Sequence, residues 1–309
     1  MTDALEARLE RILDERYHHL HPFNLRMHEG TLSRDEIRTW VANRYYYQTR
    51  IPKKDGLILT KADDAAFRRD WIRRIHDHDG EAGREGGLEL WLRLAEAVGL
   101  DREKVATCGD VLPGARRACD AYVEFVASHD LLESVASSLT ERRAGTIMVV
   151  RIEAWEKHYP WVAPDGLAYF RSRTVQAPRD AREGMAYVLE HARSPEDGDR
   201  CAHALERKCE ILWSLLDAVE WGGSAPTLAP GMRLRSDREG WLTVGAERAV
   251  QLNASGREIL ELCSGERSVC EVGAAFAALH PNEPAAAADA YEFIEAMERE
   301  RVVRCASRV

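Results

Sequence analysis

Along residues 1–221, apolar positions recur at intervals of three and four, interrupted by short stop signals, and no stretch alternates with a period of two. This pattern belongs to amphipathic helices packed on one another. The connections are short, so an all-α bundle is predicted. Ser33-x-x-Glu36 reads as a capping box opening the helix that carries Tyr45, Tyr46 and Tyr47. Residues 64–79 read as a helix ended by Gly80, and 85–98 as one ended by Gly99. Further helices are predicted over 114–128, 131–143, 164–174, 179–191 and 198–219.

The pattern changes at WGGSAPTLAPG, residues 221–231, where glycine, proline and serine replace the apolar period. Residues 222–230 therefore read as a linker. Beyond it, two short β-like runs at 232–235 and 241–244 flank an Asp-Arg-Glu-Gly turn, and a third covers 249–252. Helices follow over 254–263, 269–279 and 285–300. The expected organisation is a bundle over 1–221, a linker, and a small α/β winged-helix-like domain over 231–309.

Composition narrows the function. The chain has 309 residues and a net charge of −9, which argues against a general nucleic-acid binder, so any basic cluster is local and suited to a small anion. The last predicted helix, DAYEFIEAMERERVV, is acid-rich and argues against DNA as the ligand of a winged helix. The N-terminus lacks the apolar run of a signal peptide, and no stretch approaches a membrane span of about 20 apolar residues. Seven scattered cysteines without a C-x-x-C pair fit free thiols in a reducing cytoplasm.

Helical spacing then groups the candidate chemistry. Arg44, Tyr47 and Gln48 share a helix face, as do Arg74 with His78 and Tyr169 with Arg173. Lys208 sits in the apolar stripe of Leu205, Leu212, Leu215 and Leu216, and Tyr122 lies one turn from Cys119 and Phe125. Taken singly, each has an ordinary explanation. A lysine on an apolar stripe snorkels, an Arg–His pair sits at the surface, and tyrosines fill cores. His18, His19 and His21 before Pro22 read equally as a polar turn. Their recurrence on several helices argues for one cavity. Buried cations are costly without an anion, so such a cavity implies a polyanionic ligand, with histidine and tyrosine available for proton transfer. No pair of Glu-x-x-His motifs supports a metal centre, and an arginine beside Tyr169 would repel a metal ion.

Several stretches carry a family resemblance: HPFNLRMHEG, ANRYYYQTRIPKKDG, RRDWIRRIHDHDG, VLPGARRACDAYVEF, SSLTE, EKHYPWVAPDGLAYFRSR and LERKCEILWSLLDA. In this order, over about residues 10–220, the chain resembles the pyrroloquinoline quinone synthase (PqqC) family. Residues 230–309, with AERAVQLNASGREILELCSG, resemble its small pathway partner PqqD. The resemblance implies a heme-oxygenase-like bundle that forms a homodimer. It implies ring closure and eight-electron oxidation of a bicyclic tricarboxylic precursor (AHQQ) to PQQ. Dioxygen is the co-substrate, hydrogen peroxide is released, and there is no metal or flavin cofactor. It also implies that the C-terminal part binds the ribosomal precursor peptide PqqA and presents it to the radical SAM enzyme PqqE. Carried over by motif, Arg44, Tyr47, Gln48, Lys54, Arg74, Arg173 and Lys208 would hold carboxylates and quinone oxygens. His78, Tyr122 and Tyr169 would move protons with Arg173 beside them, Tyr17 and His18 would complete the pocket, and Thr140 and Glu141 are retained.

One segment departs from the family pattern. After SSLTE the family continues with apolar residues and then an active-site histidine, whereas this chain reads RRAGTIMVVR. Arg142 and Arg143 replace apolar residues, and Met148 stands at the histidine position. A thioether transfers no proton, and a lost relay costs roughly 10²–10⁴-fold. The alternative reading is therefore a protein that binds precursor or PQQ and chaperones peptide, with impaired oxidase turnover.

Overall fold

In a computed structural model, residues 2–236, 241–244 and 249–307 are described. The chain divides into two compact units, Met1–Ala106 with Gly114–Leu216, and Thr107–Pro113 with Asp217–Val309. The second unit thus begins before the expected linker and takes in a short segment from the middle of the helical region.

The first unit is helical: α1 (Thr2–Arg16), α2 (Pro22–Glu29), α3 (Arg34–Lys61), α4 (Ala65–Trp71), α5 (Arg73–Asp79), α6 (Gly87–Ala97), α7 (Arg102–Thr107), α8 (Pro113–Ser128), α9 (Leu131–Ser137), α10 (Glu141–His158), α11 (Ala168–His191) and α12 (Pro195–Gly223), the last turns of α12 belonging to the second unit. The capping box opens α3, with Ser33 Oγ accepting the Glu36 amide at 3.2 Å and Glu36 Oε2 accepting the Ser33 amide at 2.8 Å. The helix then runs through Pro52 to Lys61. A core of Trp40, Trp91, Trp155 and Phe170 joins α3, α6, α10 and α11, with Trp40 and Trp91 ring centroids 5.4 Å apart.

Four predicted helices differ from those observed. The run over 64–79 breaks at Ile72 into α4 and α5. The helix expected over 131–143 ends at Ser137, and after the tight turn Ser138–Thr140 a new helix, α10, runs to His158. The break expected between 174 and 179 is absent, since α11 continues through Pro178. Gly145 on α10 makes room for that proline: a Cβ there would lie 3.0 Å from Pro178 Cγ. Packing against α10 thus overrides the helix-breaking tendency of proline.

Arg142 and Arg143 on α10 are compensated by acids on α1. Arg142 pairs with Glu10 and lies 3.6 Å from Glu6, while Arg143 reaches Asp14 at 2.5 Å and Glu10 at 2.8 Å. These pairs form a charged strap from α10 to α1.

In the second unit, β2 (Arg233–Ser236), β3 (Trp241–Val244) and β4 (Ala249–Leu252) form an antiparallel sheet in that order, followed by α13 (Ala254–Leu262), α14 (Val269–Leu279) and α15 (Ala286–Arg299). These match the predicted strands and helices, and the turn at 237–240 lies outside the described residues. The expected linker 222–230 is corrected in part: β1 (Ala225–Leu228) pairs antiparallel with β5 (Val303–Ala306). Among the described residues, no helix is long and apolar enough to cross a membrane.

Candidate active site

α3 presents Arg44, Tyr47, Gln48 and Ile51 in a row to a cavity of about 40 Å³. Opposite, α5 supplies His78, α11 supplies Tyr169 and Arg173, and the segment before α2 supplies Tyr17. The turn before α10 brings Thr140, and α10 adds the stripe Glu141, Ala144 and Met148. Eight of the thirteen candidate residues therefore line one small space. The other five, His18, Lys54, Arg74, Tyr122 and Lys208, are buried behind it. Lys208 Nζ donates to Tyr47 Oη at 2.8 Å and lies 3.3 Å from the Tyr122 ring centroid. Lys54 donates to Ser138 Oγ at 3.1 Å, and Tyr122 Oη is 3.3 Å from the same hydroxyl. Arg74 stacks on Trp71 at 3.8 Å and donates to the Asp180 carbonyl at 2.6 Å.

Six buried basic side chains surround the cavity, and three carboxylates face them. Lys54 pairs with Asp55 at 2.6 Å, Arg173 with Glu141 at 2.6 Å, and Asp180 lies 4.0 Å from Arg74 and 3.5 Å from Arg173. Arg44, Arg151 and Lys208 have no carboxylate within ion-pair distance among the described residues, and they are 8%, 2% and 1% exposed. Arg44 instead lies over the Tyr47 ring at 3.9 Å, and its Nη1 is buried without a hydrogen bond. The electrostatic strain is visible in the titration behaviour. Burial, then Arg44 and Lys54, push Lys208 well below the usual lysine range. Burial and Arg44 lower Arg151 to about 10. Burial opposes the charge on Arg173, but Glu141 reverses that and raises it.

The two site histidines are held in opposite tautomers. His78 Nδ1 lies 3.0 Å from the Arg74 carbonyl, which only accepts, so Nδ1 carries the proton and Nε2 keeps its lone pair. Burial and then Arg173 lower His78, so it is a neutral base. For His18, Asn24 decides. Arg151 Nη2 donates to Asn24 Oδ1 at 3.0 Å, which turns the Asn24 amide nitrogen to His18 Nδ1 at 3.0 Å and the His18 carbonyl at 2.7 Å. His18 Nδ1 therefore accepts, and the proton sits on Nε2. Burial, then Arg44 and Arg151, keep His18 well below the usual histidine value. Burial raises Tyr17, Tyr47 and Tyr169, which stay protonated donors. Tyr169 donates to Gln48 Oε1 at 2.8 Å.

Spacing rules missed Arg151, Asn24, Asp180 and the active place of Glu141. Glu141, Met148 and Arg151 are separated by seven and three residues on α10, a helical stripe that was legible had the helix been placed there. Asn24 carried no signal, because its partner Arg151 is 127 positions away. A larger groove of about 600 Å³ lies elsewhere on the first unit; carboxylates such as Asp63, Asp70 and Glu190 line it, which is the wrong charge for a polyanion.

Comparison with known proteins gives the family and the fold. Residues 6–218 match the TENA/THI-4/PQQC family, and residues 240–303 match coenzyme PQQ synthesis protein D (PqqD). A pyrroloquinoline-quinone synthase of Pseudomonas aeruginosa is 50% identical over 216 residues, covering 69% of this chain and 86% of that one. A bifunctional coenzyme PQQ synthesis protein C/D of Methylorubrum extorquens is 46% identical over 228 residues, 74% of this chain and 61% of that one. Among solved structures, a Shewanella denitrificans domain with a heme oxygenase-like fold superposes with a TM-score of 0.59 at 17% identity, over 71% of this chain and 91% of that one. A TenA homologue from P. horikoshii gives 0.56 at 13% identity, over 71% and 97%. The chain belongs to the TENA/THI-4/PQQC family, with a heme-oxygenase-like helical body, and carries a PqqD domain behind it.

Proposed function

We propose that the first unit is a pyrroloquinoline-quinone synthase, closing the ring of the tricarboxylic precursor and oxidising it to PQQ with dioxygen. The observation that carries this reading is the trio of Arg44, Arg151 and Lys208, buried without carboxylate partners among the described residues. A ligand bearing several carboxylates supplies the missing charge, and arginine binds carboxylates bidentately. The free cavity holds no more than a few waters, whereas a ligand of this size needs several hundred Å³, so the helices around it part to admit substrate. Within the filled site, His78 Nε2 takes a proton from the precursor, and the phenols of Tyr47 and Tyr169 donate to developing oxyanions. Lys208 and Arg173 stabilise negative charge on reduced oxygen. The substrate supplies its own electrons, so the chain's task is to hold charge and move protons without metal or flavin.

The test is a single turnover. The purified chain is loaded with precursor under anaerobic conditions, air is admitted, and quinone absorbance is followed together with hydrogen peroxide. Quinone and peroxide forming together, with no metal added, support the oxidase. Tight binding without quinone overturns it and favours a second reading, in which Met148, seated in the cavity wall, leaves a site that binds but does not complete oxidation.

For the second unit we propose that it binds the precursor peptide PqqA and presents it to PqqE, with the first unit working as a homodimer in the cytoplasm. The sheet order puts β2 and β4 at the edges, where an extended peptide can add a strand. Consecutive backbone amides of a strand point to opposite sides, so one of Leu234→Pro and Arg235→Pro removes an outward donor on β2. In the full chain, one of the two weakens PqqA binding at least tenfold. Undiminished affinity in both variants and in the matching pair Val250→Pro and Gln251→Pro on β4 overturns strand addition.

A further inference from the structure

The cavity contains an anion of its own. Glu141 is the one acid among the residues lining it, and its Oε2 accepts from Arg173 Nη2 at 2.6 Å. The two partners differ in freedom. The Glu141 side chain keeps 23% exposure, while that of Arg173 keeps 5%. Arg173 also has a second carboxylate behind it, Asp180, 3.5 Å away and 3% exposed. Arg173 therefore stays in place and partly neutralised when Glu141 leaves, and Glu141 is the member able to move.

Every element around the cavity sends a titratable or charged group toward Glu141. Arg44 and Tyr47 come from α3, Tyr17 from the segment before α2, His78 from α5, Tyr169 and Arg173 from α11, and Lys208 from α12. Bringing a tricarboxylate into this space places like charge beside the Glu141 carboxylate, which disfavours its ionised form.

We infer that Glu141 is the resident counter-ion of Arg173, that a substrate carboxylate displaces it, and that the displacement is coupled to uptake of one proton by Glu141. The inference rests on the polycarboxylate reading above. The proton comes from solvent and resides on a Glu141 carboxyl oxygen, and no other bond changes. Glu141 stands two turns from Met148 on the same stripe of α10, where a thioether carries no proton. The substrate thus arrives with an acid on the α10 face that carries Met148.

The experiment is calorimetric titration of the full chain with pyrroloquinoline quinone in phosphate and in Tris, whose ionisation enthalpies differ, so that the two heats count protons taken up. Other site groups, Lys208 among them, also gain protons when an anion binds, so the comparison is with Glu141→Gln. The variant takes up about one proton fewer per site. Its affinity also falls less steeply with rising pH, by up to about tenfold per pH unit relative to the native chain. An equal proton count and an equal pH slope in the two proteins overturn the inference. Failure of the native chain to bind the quinone at all overturns the polycarboxylate reading beneath it. Should the variant not fold, infrared difference spectra of the native chain, with and without ¹³C-labelled glutamate, decide. A label-sensitive carboxylic-acid band appearing on binding supports proton uptake, and its absence overturns it.

Discussion

Arg151 Nη2 donates to Asn24 Oδ1 at 3.0 Å, and this one bond orients an amide that fixes the proton of His18. Both residues are buried, and Arg151 Nε has no other partner. Asn24→Ala leaves a guanidinium nitrogen and an imidazole nitrogen unsatisfied. The expected cost is about 1–3 kcal/mol, measured by urea unfolding. A change below a few tenths would show that water replaces the amide.

Lys208 shows a site held together at a cost. It is 1% exposed, bonded among the described residues only to the Tyr47 hydroxyl, and pushed well below the ordinary lysine range by burial and neighbouring cations. Lys208→Met removes a buried amine and keeps the packing volume. It should stabilise the free chain by about 1–4 kcal/mol. The same variant should bind pyrroloquinoline quinone at least tenfold more weakly. A destabilised variant would mean that the lysine is already paid for by contacts within the bundle.

Acid stability follows from the two histidines. Burial lowers both His18 and His78 in the folded chain below the unfolded value of 6.5. A base with a lowered folded value contributes stability above the unfolded value, and this is lost as pH falls from there toward the folded value. Unfolding free energy should therefore decline below about pH 6.5, by up to about 1.4 kcal/mol per pH unit for each histidine. His78→Gln should remove one proton from that slope in urea unfolding measured between pH 5 and 7.5. An unchanged slope would place the proton uptake elsewhere.

Met148 lines the cavity, and its Sδ lies 4.0 Å from Arg151 Nη1. Met148→His places a titratable imidazole on the α10 face of the cavity. The single-turnover oxidation rate should rise by roughly 10²–10⁴-fold, the range of a proton relay. The effect should be larger in the Glu141→Gln background, where no other acid occupies that stripe. An unchanged rate in both backgrounds would put this position outside the proton path.

Residues three and four apart shared a face as the spacing required, so Arg44, Tyr47 and Gln48 reached one cavity with His78, Tyr169 and Arg173. The capping box at Ser33 and the three strands of the small domain were equally legible, because each depends on residues close in the chain. The reading failed where a distant partner changed a local preference. Gly145 on α10 lets Pro178 remain inside α11, and β1 forms only because β5 is there to pair with it.

The sequence by itself determined the helical periodicity, the local groupings of cations and phenols, and an acidic background that marks a basic cavity as specific. It also determined that the stretch RRAGTIMVVR carries Met148 and no histidine. Only the tertiary structure decided which charges are compensated. Glu141 closes on Arg173 and Asp180 backs it, Arg142 and Arg143 find acids on α1, and Arg44, Arg151 and Lys208 are left without a carboxylate among the described residues. Periodicity is a property of neighbours along a helix. Charge compensation belongs to side chains that meet only when helices far apart in the chain pack, and in this bundle that packing leaves positive charge for a ligand to neutralise.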